Sequence, residues 1–476
     1  MTPEEFRKEA HRLIDWIADY RANVASRPVM AQVKPGEIRA KLPKAPPQQP
    51  ESFDAIFADL EPLIAAGTAH FQHPRFFGYF PANSDLASVL GDYLSTGLGV
   101  IGLSWQSSPA LTELEEVMTD WVRQMIGLGD SWRGVIQDTA STSTLVALIS
   151  AREKISSYSL AKGGLQSEAA PLIVYVSGHA HSSVDKAATL AGFGTGNIRH
   201  VAVDAEFAMR PDALRAAIEK DRAAGLKPCA IVASVGTTTT TAVDPVKPIA
   251  AIAREFGLWL HVDAAMAGSA MILPECRWMF EGIEAADSLV LNPHKWLGAA
   301  FDCSTYYVQD SEHLIRVMST NPSYLQTNVD GAVVNYRDWG IPLGRRFRAL
   351  KLWFLLRANG VAALQARLRR DIANAQWLAE EVKKTPNWKV LAPVHLQTVC
   401  LRHAPAGLSG DGLDKHTLAW ADAINQSGGA YVTPATLDGR WMVRVSIGAM
   451  PTERADVAAL WKLAQDCAAS VHATPG

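Results

Sequence analysis

A chain of 476 residues, 48% of them hydrophobic, has material for about three compact units with a sizeable core. Its 45 Lys and Arg against 48 Asp and Glu leave a net charge of −3, without the basic excess of a nucleic-acid or membrane-surface binder. The five cysteines (Cys229, Cys276, Cys303, Cys400, Cys467) are odd in number and irregularly spaced, with no histidines at zinc-ligand spacing; reduced thiols in the cytoplasm are expected, and no metal site.

The opening Met1-Thr2-Pro3-Glu4-Glu5-Phe6 lacks the basic start and apolar stretch of a secretion signal, and no run of about 18 apolar residues suggests a membrane span. Thr2, Pro3 and Glu5 predict a capped first helix, and Phe6, Ala10, Leu13, Ile14 and Ile17 give it one apolar face. The prolines that follow (Pro28, Pro35, Pro43, Pro46, Pro47, Pro50) break regular structure. Residues 1–85 are therefore expected to form an extended arm. It has little core of its own and must dock on the rest of the chain or on a second copy, with a homodimer the expected solution.

Residues 86–359 alternate. A helical stripe (Leu111, Leu114, Met118, Trp121, Met125) precedes short apolar runs at 172–176, 200–203, 231–235, 258–262, 289–291 and 305–308, with helical stretches at 183–190, 211–224 and 248–256 between them. The pattern predicts an α/β domain around a mainly parallel sheet, where ligands gather at the carboxyl ends of strands. A helix is expected from near Leu343 to a stop at Asn359-Gly360. Residues 360–476 then predict a small α+β domain: a helix over 361–382, strands over 388–391 and 397–402, and a hairpin turning at Asp438-Gly439.

Lys295, in Leu291-Asn292-Pro293-His294-Lys295-Trp296, follows a buried strand. A lysine there can form a Schiff base or contact a phosphate, or it can snorkel to water. Asp263, in His261-Val262-Asp263-Ala264-Ala265, ends another strand among small residues that leave room for a flat ligand; it either faces a permanent positive charge or caps the next helix. The run Thr139-Ala140-Ser141-Thr142-Ser143-Thr144 places hydroxyls before an apolar helix expected from Leu145, as an anion cradle or as simple caps. His181 follows a further strand, where an imidazole can stack on a flat ring and shuttle protons. His179 and His181 have no third ligand at metal-binding spacing, and Gly192-Phe193-Gly194-Thr195-Gly196 precedes a strand rather than a helix, so it predicts a turn. Lysine, carboxylate, phosphate cup and stacking histidine are together the parts that hold pyridoxal phosphate (PLP).

These motifs resemble the PLP-dependent aromatic L-amino-acid decarboxylases of the group II type, most closely their bacterial L-DOPA decarboxylase branch. The resemblance runs through His73-Pro74, Tyr79-Phe80-Pro81, Ser104-Trp105, Ser107-Ser108-Pro109, His181-Ser182-Ser183-Val184, Gly236-Thr237-Thr238, the Asp263 and Lys295 motifs, and Pro342-Leu343-Gly344-Arg345-Arg346-Phe347. It implies the fold of PLP-dependent transferases of fold type I, a homodimer, and decarboxylation of an aromatic amino acid such as L-DOPA. Lys295 would form the aldimine with PLP, Asp263 would pair with its ring nitrogen, and His181 and Ala265 would flank the ring. Thr139, Ala140, Ser141 and Asn292 would hold the phosphate, with Thr237, His294 and Gly344 also in the cofactor site. Tyr324, on a loop covering the site, would donate a proton.

The substrate pocket implied is Phe71, Tyr79, Phe80, Pro81, Ala82, Ile101, Leu103 and Phe301, with Ile101, Leu103 and the loop of Tyr324 crossing the subunit boundary. Phe71, Ala82, Leu103 and Met266 stand where animal members carry Trp, Thr, Phe and Tyr. Gly344 resembles members that accept larger rings, whereas Ser there is typical of tyrosine-selective plant members. An aldehyde synthase of the same fold would have Phe in place of Tyr324 or Asn in place of His181, and a PLP-binding protein without turnover would have no use for Tyr324.

Overall fold

The computed structural model describes residues 1–320 and 329–473. Two compact units emerge: a large one, Ala82–Arg370 with Ala392–Leu396, and a small one, Met1–Pro81 with Asp371–Leu391 and Gln397–Gly476. The division differs from the expected one, because the arm belongs with the C-terminal segments and the second boundary falls after Arg370 rather than at Gly360.

In the large unit the strands are β1 (Arg133–Gln137), β2 (Leu172–Ser177), β3 (Ile198–Val201), β4 (Lys227–Ser234), β5 (Trp259–Asp263), β6 (Ser288–Leu291) and β7 (Ser304–Val308). They form one sheet in the order β1-β7-β6-β5-β4-β2-β3. Only β7 runs against its neighbours, so β1 to β6 point the same way and their carboxyl ends share one edge. Every residue of β2, β5, β6 and β7 is buried, as continuous apolar runs covered on both faces require. One core joins Leu148, Val174, Val184, Val232 and Trp259; a second joins Val135, Ala147, Val290, Tyr306 and Leu314. β1 was not expected from sequence, where Arg133-Gly134 dilutes its only apolar pair.

A 36-residue helical segment, Ala349–Lys384, starts later than expected and breaks at Gly360, whose φ of 70° suits glycine. Its start is delayed because Arg345 is drawn into a buried pair with Glu115 (3.0 and 2.6 Å) and also donates to the Ile136 carbonyl at 2.7 Å. Leaving either charge unpaired would cost roughly 3–5 kcal/mol.

The small unit is an antiparallel sheet of β8 (Trp388–Val390), β9 (Thr398–His403), β10 (Thr433–Leu437) and β11 (Arg440–Ser446), ordered β10-β11-β9-β8 and turning at Asp438-Gly439 as expected. Trp388 meets Trp420 and Trp461 edge-on, tying β8 to the helices Gly410–Gln426 and Arg454–Ala473. The arm docks here: Phe77 N–H donates to the Tyr431 carbonyl (2.8 Å), Ser446 N–H donates to the Phe77 carbonyl (2.9 Å), and Phe76 stacks on Tyr431. The first helix, Pro3–Asn23, has the expected Thr2–Glu5 capping box but no buried residue.

Candidate active site

Five of the six carboxyl ends along the shared edge carry a residue singled out from sequence: Thr139 to Ser141 after β1, His181 after β2, Thr237 after β4, Asp263 closing β5, and Asn292 to Lys295 after β6. Beyond their last paired residues β5 and β6 stay zipped, with Ala264 N–H donating to the Val290 carbonyl (3.0 Å) and Asn292 N–H to the Ala265 carbonyl (2.9 Å). Asp263 and Ala265 are thereby fixed against the turn that carries Lys295. The Lys295 carbonyl accepts an N–H of the Asn83 amide at 3.2 Å.

The hydroxyl-rich segment is itself helical. The helix is Ala140–Ile155, capped by Thr139, and does not wait for Leu145. Ser143 is tolerated in its first turn because its hydroxyl bonds back to the Thr139 carbonyl (3.2 Å). Ser141 is exposed there, beside N–H groups that no helical carbonyl satisfies.

His181 caps the helix Ser182–Leu190. Its Nδ1 accepts the Ser183 N–H at 3.1 Å, which leaves a neutral ring's proton on Nε2. Burial lowers its pKa, Asp263 opposes that and Lys295 adds to it; the net lowering keeps the imidazole neutral at pH 7. Carboxylate and ammonium from two other strand ends thus both act on this imidazole. Asp263 is buried, and its Oδ1 accepts the Ala265 N–H at 3.0 Å.

Other expected residues have supporting places. The Thr237 hydroxyl accepts the Ala242 N–H (3.0 Å) and bonds to Thr240, holding its own loop. His294 is buried, accepts the Cys303 N–H (2.9 Å) and meets Phe301 edge-on; burial takes its pKa down to about 3. Gly344 lies beside Ile101 and Leu103, where a Cβ would meet them at 3.5 and 4.0 Å. Phe71, Tyr79, Phe80 and Pro81 belong to the small unit, where Phe71 stacks on Phe76 and Arg444 lies over the Phe80 ring. Ala82, Ile101, Leu103 and Phe301 belong to the large one, and Tyr324 lies outside the described residues.

Two residues escaped the sequence reading. Asn83 carries no local signal. His261 is fully buried and ties Ser288 (2.9 Å) to Thr144 (3.4 Å) of the cup helix; the alternation His261-Val262-Asp263 already put it on the Asp263 face.

Residues 35–404 match the family model described as the pyridoxal-dependent decarboxylase conserved domain. The chain belongs to the pyridoxal-dependent decarboxylase family. It is 41% identical to tryptophan decarboxylase TDC2 of Camptotheca acuminata, over 98% of this chain and 95% of that one. It is 40% identical to phenylacetaldehyde synthase of Arabidopsis thaliana, over 98% and 96% of the two chains. The crystal structure of Oryza sativa TDC with PLP and tryptamine aligns with a TM-score of 0.95 at 34% identity, over 99% of both chains. This decarboxylase is therefore a PLP-dependent enzyme of the aromatic amino acid group, with the α/β fold of PLP-dependent transferases expected from its motifs.

The strand-end residues fit that cofactor. Asn292 Oδ1 is buried without a hydrogen-bond partner, in the turn that carries Lys295, and calls for a polar group from outside the chain. The N-terminus of Ala140–Ile155 suits a phosphate, and the buried Asp263 suits a ring cation.

Proposed function

We propose that this enzyme converts an aromatic L-amino acid, L-DOPA foremost, to its amine and carbon dioxide, as a cytoplasmic homodimer. The observation that carries the reaction is that His181, Asp263 and Lys295 come at the carboxyl ends of β2, β5 and β6, on one edge of the same sheet. PLP, when bound, supplies a sink for the electron pair left as the carboxylate departs. Lys295 holds the cofactor, and Asp263 keeps the ring nitrogen protonated. Thr139, Ala140, Ser141 and Asn292 take the phosphate, while Ala265, Thr237, His294 and Gly344 complete the seat. His181, neutral with its proton on Nε2, covers the ring and assists proton movement, and Tyr324 returns a proton to the α-carbon.

In the large unit, Ala82, Ile101, Leu103 and Phe301 take the aromatic side chain. The missing side chain at Gly344, beside Ile101 and Leu103, favours acceptance of more than one ring size. A panel of L-DOPA, tyrosine, tryptophan, 5-hydroxytryptophan and phenylalanine, assayed for amine and carbon dioxide, is expected to give the highest kcat/KM with L-DOPA. A higher value for another member replaces it as substrate, and amine from none rejects the reaction. The 40% identity to a phenylacetaldehyde synthase favours aldehyde formation as the second reading, which His181 and Tyr324 oppose.

Apolar surface supports the dimer. The helix Pro3–Asn23 exposes Phe6 and Ile14, and the helix Leu86–Leu98 exposes Leu86, Leu90, Leu94 and Leu98 at four-residue spacing. Sedimentation is expected to give twice the 51.5 kDa chain mass; an active monomer rejects it. The five free cysteines support a reducing compartment.

A further inference from the structure

Asp244 is completely buried in the large unit. Its Oδ1 accepts the Met209 N–H (2.6 Å) and the Ser177 hydroxyl (3.3 Å), and its Oδ2 accepts the Ser234 N–H (2.7 Å). Its own N–H returns to the Ser234 carbonyl at 3.0 Å. Burial pushes its carboxyl up to about 6, against the pull of these donors toward the ionised form.

We propose that Asp244 is a positioning residue for the cofactor site, one carboxylate that locks the ends of β2 and β4 together and so sets His181 and Thr237 against Asp263. This rests on the assignment of those three residues to the cofactor. Ser177 ends β2, and a single turn, closed by Ala180 N–H on the Ser177 carbonyl (3.0 Å), separates it from His181. Ser234 ends β4 opposite Asp263, and the next residue, Val235, donates its N–H to the Asp263 carbonyl at 2.9 Å.

Thr237 lies in the loop whose base is the reciprocal pair of bonds between Ser234 and Asp244. That loop presses on the segment after Asp263: at Gly236 (φ +83°) a Cβ would stand 2.5 Å from Ala267 Cβ. Each of the three hydrogen-bond partners of the Asp244 carboxylate donates, and the donors come from three separate segments. An apolar residue could fill the space but could hold none of them.

The test compares Asp244→Asn, Ser177→Ala and Asp263→Asn with wild type. PLP affinity of the stripped protein, visible circular dichroism of the bound cofactor, kcat and KM are measured beside the far-ultraviolet spectrum. Asparagine keeps the size but sets an N–H against a donor. Asp244→Asn is expected to weaken PLP binding about tenfold, to flatten the visible dichroic band and to lower kcat more than it raises KM, with secondary structure unchanged. Ser177→Ala, which removes one bond, is expected to move the same readouts about threefold.

Unchanged PLP affinity and band in Asp244→Asn overturn the proposal. If Asp244→Asn does not fold, Ser177→Ala decides alone, and wild-type behaviour there overturns it. Asp263→Asn separates the two levels: normal cofactor binding in that variant rejects the assignment of the site, whereas a defect there with a normal Asp244→Asn rejects only the role of Asp244.

Discussion

Lys295→Ala is expected to abolish amine formation, by at least about a thousandfold or roughly 4 kcal/mol of transition-state stabilisation, and to leave no cofactor that borohydride can fix to the chain. The turn holding Lys295 is pinned by Asn292 to Ala265 on one side and by the Asn83 amide on the other. Its ammonium is felt by His181, which also feels Asp263. Removing it takes away the covalent attachment and a charge, while the half-buried side chain leaves little cavity behind, so far-ultraviolet dichroism is expected to stay close to wild type. A variant that still yields a reducible adduct places the attachment on another lysine and rejects the assignment.

Tyr324→Phe is expected to redirect the reaction, with amine giving way to aldehyde, ammonia and hydrogen peroxide when oxygen is present. A phenol can return a proton to the α-carbon after carbon dioxide leaves, and a phenyl ring cannot. The electron-rich carbon then persists and meets oxygen, which takes up its electrons as peroxide while water releases the nitrogen as ammonia. Residual amine is expected, because His181 still carries a proton on Nε2. The shape of the side chain hardly changes, so a packing role for Tyr324 predicts an altered rate and an unaltered product ratio. Measuring amine and peroxide together separates the two, and an unchanged ratio rejects proton donation.

How far the sequence revealed all this depends on the range of the interactions involved. β5 and β6 were legible because strands buried on both faces are continuous apolar runs, and their ends mark where Asp263 and Lys295 emerge. β1 was not, since Gly134 sits against Tyr307 of a strand far along the chain and nothing local announces the pairing. Where on the chain the arm docks was not legible for the same reason: its partners, Tyr431 and Ser446, are in the last part of the sequence. The cup helix was placed one turn late because its serines and threonines look like caps until their backward bonds are seen. His181 could be named from its motif, but its neutral state follows from burial and a Ser183 bond that only coordinates reveal. Asp244, before a proline, looks like any turn aspartate.

The position of β7 has a consequence for how the enzyme is made. β1, which leads into the cup helix, pairs only with β7 among the described strands, and Gln137 and Ser304 are register partners. On the ribosome, at ~5–20 residues per second, roughly ten to thirty seconds pass between the emergence of one strand and the other. Throughout that interval the nascent chain carries β1 without its partner strand, open to chaperones and to misassociation. The strand that leads into the phosphate seat gains its place in the sheet only when β7 slots in between β1 and β6, in a chain already about two-thirds synthesised.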